Sequence, residues 1–374
     1  MSAVNNIETD GRRELRETAR EFFAKHSDEA AVRATMETED GFDRHLWDLM
    51  ATQLGLQALL IPERFGGAEF SFTNMQIVLD EMGRALVCAP FLSSAVMSVA
   101  ALLASSDDDA CADLLPRIAD GSMIATLAVT DENGWWDATN NDVHAEKQGD
   151  GWLLTGRRWF VLAGHTADLV LVAAQTSSGP GLFAVRRQSP GLTAVRLETL
   201  DMTRTLADIE FDGVAGTLVG SQGDADRIVR RALAAGLAGL AVEQAGTARR
   251  AMEMSVEYAK VREQFGRPIG SFQAIKHKCA DMLLEVESAT SVAYAAGQAI
   301  DDDSEEAVML ASMAKAYCSE ALSHVAAENI QVHGGIGFTW EHPAHLYFRR
   351  AKSTEMLLGN PVYHREQLLR ELGL

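Results

Sequence analysis

Basic residues, cysteines and long apolar stretches are all scarce in this sequence. Its 374 residues include 33 Lys and Arg against 53 Asp and Glu, so the formal net charge is −20 at pH 7. Nucleic-acid binding depends on clustered cations that neutralise phosphates, and a chain this acidic is not expected to bind nucleic acid. With 47% hydrophobic and 23% charged residues, the composition is typical of a folded globular chain and excludes disorder as the main state.

The few cysteines lie far apart and include no Cys-x-x-Cys pair. They are Cys88, Cys111, Cys279 and Cys318. This spacing predicts neither a disulfide framework nor a metal site. The N-terminal residues lack the apolar core of a signal peptide, and the longest stretch of low charge, residues 91–105, is shorter than the ~20 residues that span a bilayer. We therefore expect a cytoplasmic protein without a membrane span.

The hydrophobic pattern divides the chain into three regions, and no GxGxxG fingerprint of a dinucleotide-binding fold follows a predicted strand. Residues 1–120 carry apolar side chains at helical spacing, as in the stripe that begins at Leu15, and predict an N-terminal helical domain. Residues 121–224 carry short alternating runs between Gly, Asp and Asn clusters, which is typical of an antiparallel β domain. Residues 225–374 carry three long helical patterns suited to a four-helix bundle. The predicted fold class is α+β, mostly α.

A segment around position 265 combines a helix end with charged and amide side chains. Residues 258–273 read YAKVREQFGRPIGSFQ, so one helix ends in Gly and Pro and another begins near Ser271. Such a corner exposes Arg262, Gln264 and Gln273 beside free backbone N–H groups, an arrangement suited to a pyrophosphate. Two ordinary helix caps with solvated arginines explain the same pattern.

A second segment is rich in glycine. Residues 331–339 read QVHGGIGFT, and Gly334, Gly335 and Gly337 would let the backbone come close to a ligand. An ordinary loop between bundle helices is the alternative. The acidic run at residues 301–306 is read as a helix connection whose carboxylates stabilise the next helix N-terminus, not as a metal site.

Together and in order, these segments resemble the acyl-CoA dehydrogenase family of flavoproteins over nearly the whole chain. The resemblance rests on the Pro-Glu-x-Phe-Gly-Gly turn at 62–67, the strand and loop at 129–137, the segment at 156–160, the corner at 262–273 and the loop at 331–337. It implies an oxidoreductase of fatty acid or steroid catabolism that dehydrogenates an acyl-CoA thioester between its α and β carbons. A carboxylate would remove the α proton and FAD would take the β hydride, with an electron-transferring flavoprotein as acceptor.

The resemblance also implies where FAD binds. In the family the flavin ring lies against the β domain, and the corner and glycine loop of a neighbouring subunit contact the ADP half. Carried over position by position, the implied cofactor-binding residues are Arg262, Gln264, Phe265, Gln273, Gln331, Gly334, Gly335, Thr130 and Phe160. A sister subunit, or a second copy of this chain in a dimer of dimers, would therefore complete the FAD site.

The sequence departs from the family at the catalytic base. The usual Glu is replaced by Leu358, nine residues after Arg349, and leucine cannot accept a proton. A second position used by some members, early in the first bundle helix, is Gly236. The next carboxylate along that helix is Glu243, displaced by ~10 Å along the axis, and Glu355 is a further candidate one turn before Leu358.

The flavin-facing positions have changed as well. Trp136 stands where the family has Ser, Asp131 and Glu132 replace its Glu-Pro pair, and Leu162 replaces the Thr expected near flavin N5. Residues for this chain's own flavin ring are altered, whereas those that grip a partner's FAD are kept. We therefore expect the non-catalytic or half-catalytic subunit of a heteromeric acyl-CoA dehydrogenase. The alternatives are a homotetramer that uses another acid, such as Glu243, and a flavin-free scaffold or CoA-thioester-binding subunit.

Overall fold

The computed structural model describes residues 10–134, 136, 142–149 and 151–373. The chain divides into two compact units, each built from separate stretches of sequence. The first holds the described residues of Met1–Arg33, Phe72–Val87 and Leu237–Leu374, and the second holds those of Ala34–Ser71 and Cys88–Gly236. The three domain boundaries read from the sequence stay a prediction.

Helices dominate both ends of the chain. The described helices are α1 (Asp10–His26), α2 (Glu29–Met36), α3 (Arg44–Thr52), α4 (Phe72–Arg84), α5 (Val99–Ser105), α6 (Asp108–Ala119), α7 (Ala225–Val261), α8 (Gln273–Asp301), α9 (Ala307–His333), α10 (Ala344–Met356) and α11 (Pro361–Glu371). A buried π-helix, Leu92–Ser98, leads into α5. In the C-terminal bundle α9 packs against α8, α10 and α11. Among the described helices, none is long and apolar enough to cross a membrane.

The centre of the first unit is helix α4, which is buried along most of its length. A Cβ on Gly83 would lie 2.1 Å from the backbone oxygen of Glu243, so only glycine permits this approach of α4 to α7. The buried carboxylate of Asp80 accepts hydrogen bonds from Arg16 at 2.6 Å and from Arg249 at 2.7 Å. Although burial opposes ionisation, Arg249 and Arg16 hold the pKa of Asp80 below its ordinary value. This charged cluster ties α1 and α7 to α4.

The acidic run connects α8 to α9, but its first carboxylate caps a different helix from the one predicted. Asp301 accepts hydrogen bonds from the backbone N–H groups of Phe72 and Thr73 at the start of α4 and from the Thr73 hydroxyl. The residue before α9, Glu306, makes no side-chain cap. Within the described residues, no group of three or more His, Cys, Asp or Glu side chains is placed to hold a metal ion.

The second unit contains the β domain. Its strands are β1 (Ala125–Ala128), β2 (His144–Gln148), β3 (Gly151–Leu162), β4 (Leu169–Thr176), β5 (Gly179–Arg186), β6 (Leu192–Arg196) and β7 (Leu206–Val219). The order is β1-β4-β2-β3-β7-β5, with β6 on β7, and an added β4–β5 pairing closes a ring of five strands. Most pairs are antiparallel, as predicted, whereas β1 and β2 run parallel to β4. Phe183, Ile209 and Phe211 lie in its core. The predicted fold class is confirmed.

Candidate functional site

The corner after α7 is a β-hairpin and not the direct helix-to-helix junction that the sequence predicts. Two-residue strands β8 (Glu263–Gln264) and β9 (Arg267–Pro268) pair across Phe265 and Gly266. Both turn residues have positive φ, 55° and 77°, which is the signature of a type I′ hairpin turn. The ring of Phe265 is 93% exposed. The hairpin therefore exposes an aromatic side chain at the surface of the first unit.

Helix α8 begins at Gln273, just after this hairpin. Its N-cap residue, Phe272, makes no side-chain cap hydrogen bond, so the first turn keeps backbone N–H groups for an anion. Arg262, Gln264 and Gln273 are all exposed. The guanidinium of Arg267 stacks on Phe272 at 4.1 Å from the ring centroid. Cationic, amide and backbone donors thus occur together at one helix start.

The glycine loop follows the end of α9. A 3-10 turn spans Gly334–Phe338, and a Cβ placed on Gly334 or Gly335 would meet no atom within 4 Å. The backbone at these two positions is therefore open to close approach by a ligand. Gly337 has a packing role instead, because a Cβ there would lie 2.9 Å from His333 Cβ. Gln331 is exposed on the last turn of α9.

A ring contact brings the corner and the glycine loop to the same end of the first unit. Tyr258, in the last turns of α7 before Arg262, stacks on His333 with 4.4 Å between ring centroids. His333 directly precedes Gly334. The structure thus places the helix end that leads into the corner beside the start of the glycine loop, although the two segments lie far apart in sequence.

The positions that the sequence predicts to face the flavin ring lie in the second unit. Thr130 pairs with Trp136 in an isolated β-bridge, and its buried hydroxyl has no hydrogen-bond partner among the described residues. Buried hydroxyls are normally hydrogen-bonded, so this one is available to a ligand. Phe160 is 37% exposed, and Leu162 is buried. Of the predicted loop at 129–137, residues 135 and 137 lie outside the described residues.

Leu358, which the resemblance places at the position of the base, lies in a buried loop held by hydrogen bonds. Leu358 follows the end of α10 and is only 2% exposed. Its carbonyl accepts a hydrogen bond from His364 Nε2 at 2.8 Å. The ammonium of Lys315 donates to the carbonyls of Glu355 and Gly359 at 3.1 and 2.9 Å. This loop is therefore anchored on both sides of Leu358.

Sequence reasoning missed the two residues that anchor this loop. Lys315 is a single cation in an apolar stretch of α9, and burial lowers its pKa to about 7. Burial, and then the charge of Lys315, lowers the pKa of His364 to about 4. A lone lysine within an apolar helical stretch is a pattern that could have indicated Lys315. No sequence pattern indicated His364.

Three site positions share a strained backbone. Phe160, Phe265 and Leu358 all have positive φ, at 54°, 55° and 60°. For a residue with a Cβ this conformation costs about 1–3 kcal/mol and persists where the surroundings impose it. At Phe265 the β8–β9 hairpin turn imposes this conformation, and at Leu358 the hydrogen bonds from Lys315 and His364 hold it.

Glu243, the first candidate base, is already engaged. It is 6% exposed, and its Oε1 accepts a hydrogen bond from Arg350 Nη1 at 2.6 Å. Arg350 on α10 is itself 1% exposed. A buried carboxylate paired with a guanidinium is typical of a structural ion pair.

Glu355, the second candidate, is also held by neighbours. Its Oε2 accepts hydrogen bonds from Ser323 at 2.7 Å and from Lys352 at 2.8 Å. Although partial burial opposes ionisation, Lys352 and Ser323 hold the pKa of Glu355 below its ordinary value. A carboxylate with a lowered pKa is a weak general base at neutral pH.

Comparisons with known proteins agree along the whole chain. Three family models, described as the N-terminal, middle and C-terminal domains of acyl-CoA dehydrogenase, match residues 9–122, 126–214 and 227–373. The chain is 38% identical over 356 residues to acyl-CoA dehydrogenase IpdE2 of Mycolicibacterium smegmatis, covering 95% of this chain and 96% of that protein.

Solved structures show the same similarity. A variant of the steroid ACAD Tcur3481-Tcur3483 matches with a TM-score of 0.88 and 31% identity over 97% of this chain and 98% of that one. The ChsE4-ChsE5 complex from Mycobacterium tuberculosis matches with a TM-score of 0.89 and 29% identity over 98% of both chains.

Proposed function

The chain belongs to the acyl-CoA dehydrogenase family of oxidoreductases, and we propose that it is a subunit without the catalytic carboxylate that completes the FAD site of a partner chain. The observation that carries this proposal is Leu358. It occupies the position where the family resemblance places the base, in a left-handed, anchored and buried backbone. The loop at Leu358 is ordered by its hydrogen bonds, but the leucine side chain has no atom that could accept the α proton of a substrate.

The neighbouring acids do not replace that base. Glu243 neutralises the buried Arg350, and Glu355 accepts hydrogen bonds from Lys352 and Ser323. Moving either carboxylate toward a substrate would break its ion pair, which is costly where the pair is buried, as it is for Glu243 and Arg350. The arrangement of Glu243 therefore argues against a self-sufficient homotetramer that uses this residue as its base.

The residues of the first unit fit the ADP half of FAD. Arg262 supplies a cation, Gln264, Gln273 and Gln331 supply amides, and the α8 N-terminus supplies backbone donors. Gly334 and Gly335 allow close backbone approach. All are exposed, as a site shared with another chain requires. FAD, when bound, supplies the hydride-accepting chemistry of the dehydrogenation.

The residues of the second unit fit a flavin ring less well. The buried hydroxyl of Thr130 is available as a donor or acceptor. However, Trp136 and Leu162 place bulk where the family has the hydroxyls of Ser and Thr. These losses favour a role in which the productive flavin belongs to the sister chain.

The names of the relatives suggest the substrate and partners. One similar structure is a steroid ACAD and another is a two-component complex. We therefore assign a CoA thioester with a bulky, ring-containing acyl group to the heteromer, and an electron-transferring flavoprotein as the acceptor. The proposed location is the cytoplasm.

The test is to purify the chain alone and after co-expression with a family chain that has Glu at the position of Leu358. Flavin absorbance and dehydrogenation of straight-chain and ring-containing CoA thioesters are measured for both preparations. We expect turnover only from the heteromer. Robust turnover by the chain alone would overturn the proposal, and a colourless, folded complex would favour the flavin-free scaffold.

A further inference from the structure

Three aromatic rings stack in a row beside the glycine loop. The ring of His333 lies between Tyr258, at 4.4 Å between centroids, and His342, at 4.2 Å. His333 precedes the loop and His342 follows it, so the contact between the two histidines joins the two ends of residues 334–341. The ring planes are tilted by 31° and 44°, so the three rings form a continuous row of tilted ring contacts.

The hydrogen bonds of the two histidines require particular protonation states. His333 Nδ1 is 2.8 Å from the backbone oxygen of Asn329 and donates to it. His342 Nδ1 accepts from the backbone N–H of Ala344, the first residue of α10, at 3.2 Å. A protonated His342 has no free acceptor. Its protonation therefore breaks this bond and puts a cation at a helix N-terminus, which is unfavourable.

The surroundings keep both rings neutral. Burial lowers the pKa of His333. Burial, then His333 and Arg33, lower the pKa of His342, while Glu29 on α2 opposes them.

A third histidine extends the cluster along α10. His345 packs edge-on against Trp340 at 4.5 Å between centroids, and Arg349 lies over the same Trp340 ring at 4.8 Å. Burial, Arg33 and Arg349 lower the pKa of His345. Three histidines and two arginines thus share this end of the first unit, and the carboxylate of Glu29 opposes the lowering of the pKa of His342 and His345.

We propose that His333 and His342 form a proton-operated latch on residues 334–341, closed while both rings are neutral and opened when the pair takes up a proton. A proton on His342 removes the acceptor for the Ala344 N–H and places a cation at the α10 N-terminus, which is unfavourable. Since both histidines are held neutral in the folded chain, the closed state loses stability as pH falls below the ordinary histidine value of about 6.5. The consequence for FAD, loss of the ADP contacts at Gly334 and Gly335 in mild acid, rests on the proposed function.

The latch is tested by hydrogen exchange of the full chain, followed by mass spectrometry on peptides that cover residues 334–341. After correction for intrinsic exchange, we expect protection to fall about tenfold or more between about pH 7.5 and about pH 5.5. His342→Asn keeps a side-chain acceptor for Ala344 and removes the titration, so its protection is expected to stay within about threefold. His342→Phe provides a second non-titrating variant that keeps a ring in the stack, and exposed His45→Asn is the matched control.

A wild-type segment whose protection does not change with pH, or His342 variants as pH-dependent as wild type, would overturn the latch. FAD retention is measured separately, by gel filtration of the co-expressed heteromer at the same two pH values. Flavin release in wild type but not in His342→Asn supports the coupling to the cofactor. Opening of the segment with FAD fully retained would contradict the proposed role of the glycine loop and leave the latch intact.

Discussion

Glu243 on α7 and Arg350 on α10 form a buried ion pair, with 2.6 Å between Oε1 and Nη1. Both side chains are almost fully excluded from solvent. Each charge is tolerated in this environment because the other is present. The pair therefore couples the first bundle helix to the helix that leads into the Leu358 loop, and it removes Glu243 from the role of a free base.

Replacement of Glu243 tests this interpretation. Glu243→Gln removes the carboxylate that pairs with the buried guanidinium of Arg350, and we expect the free energy of unfolding to fall by about 3–5 kcal/mol. Urea unfolding measures the change. Glu320→Gln is the control, because Glu320 pairs with Arg365 at an exposed position and such pairs contribute about 0–1 kcal/mol. Unchanged stability with lost turnover and bound flavin would instead identify Glu243 as the base of a homotetramer.

The Lys315 ammonium predicts a pH dependence of stability. Burial lowers the pKa of Lys315 to about 7, whereas in an unfolded chain it is about 10.4. Between these values the unfolded chain binds the proton and the folded chain does not, so stability rises with pH. Relative to Lys315→Met, the wild-type free energy of unfolding is expected to increase by about 2 kcal/mol from about pH 7 to about pH 9.

Chemical denaturation at several pH values checks this prediction. Lys25→Met, at an exposed position of α1, is the control and is expected to follow wild type. A wild-type minus Lys315→Met difference that stays constant across this range would show that Lys315 remains charged in the folded chain.

Asp301 provides a stability prediction for α4. Asp301→Ala removes the carboxylate that accepts from the N–H groups of Phe72 and Thr73. Loss of a side-chain N-cap costs about 1–2 kcal/mol, and amide exchange at the start of α4 is expected to accelerate. Asp302→Ala is the neighbouring control, because the exposed Asp302 accepts a hydrogen bond from Gln298 of the same helix end. Equal effects of the two changes would contradict the capping role.

Arg262 provides a prediction for cofactor binding. In the co-expressed heteromer, Arg262→Ala removes one charge-assisted contact and is expected to weaken FAD binding about tenfold. Titration of the apo-complex with FAD, followed by flavin fluorescence, measures the dissociation constant. Arg230→Ala removes an exposed α7 arginine that pairs with Asp226, and its FAD affinity should match wild type. If both variants bind FAD as wild type does, Arg262 lies outside the cofactor site.

Local sequence patterns predicted most of the architecture because secondary structure follows short-range periodicity. The three long helical patterns predicted after residue 225 correspond to α7, α8 and α9, and the seven described strands of the β domain lie within residues 121–224. The hairpin at Phe265 was missed because its positive φ occurs at a phenylalanine.

The sequence by itself determined the family resemblance, the helix–strand–helix order and the loss of a carboxylate at position 358, since each depends on residue identity along the chain. Only the tertiary structure decided which distant residues share a partner. Arg350 neutralises Glu243, Asp301 caps α4 and His342 stacks on His333 because helix packing brings them within a few ångströms. The pairing of buried charges depends on that packing, and no local sequence pattern predicts it.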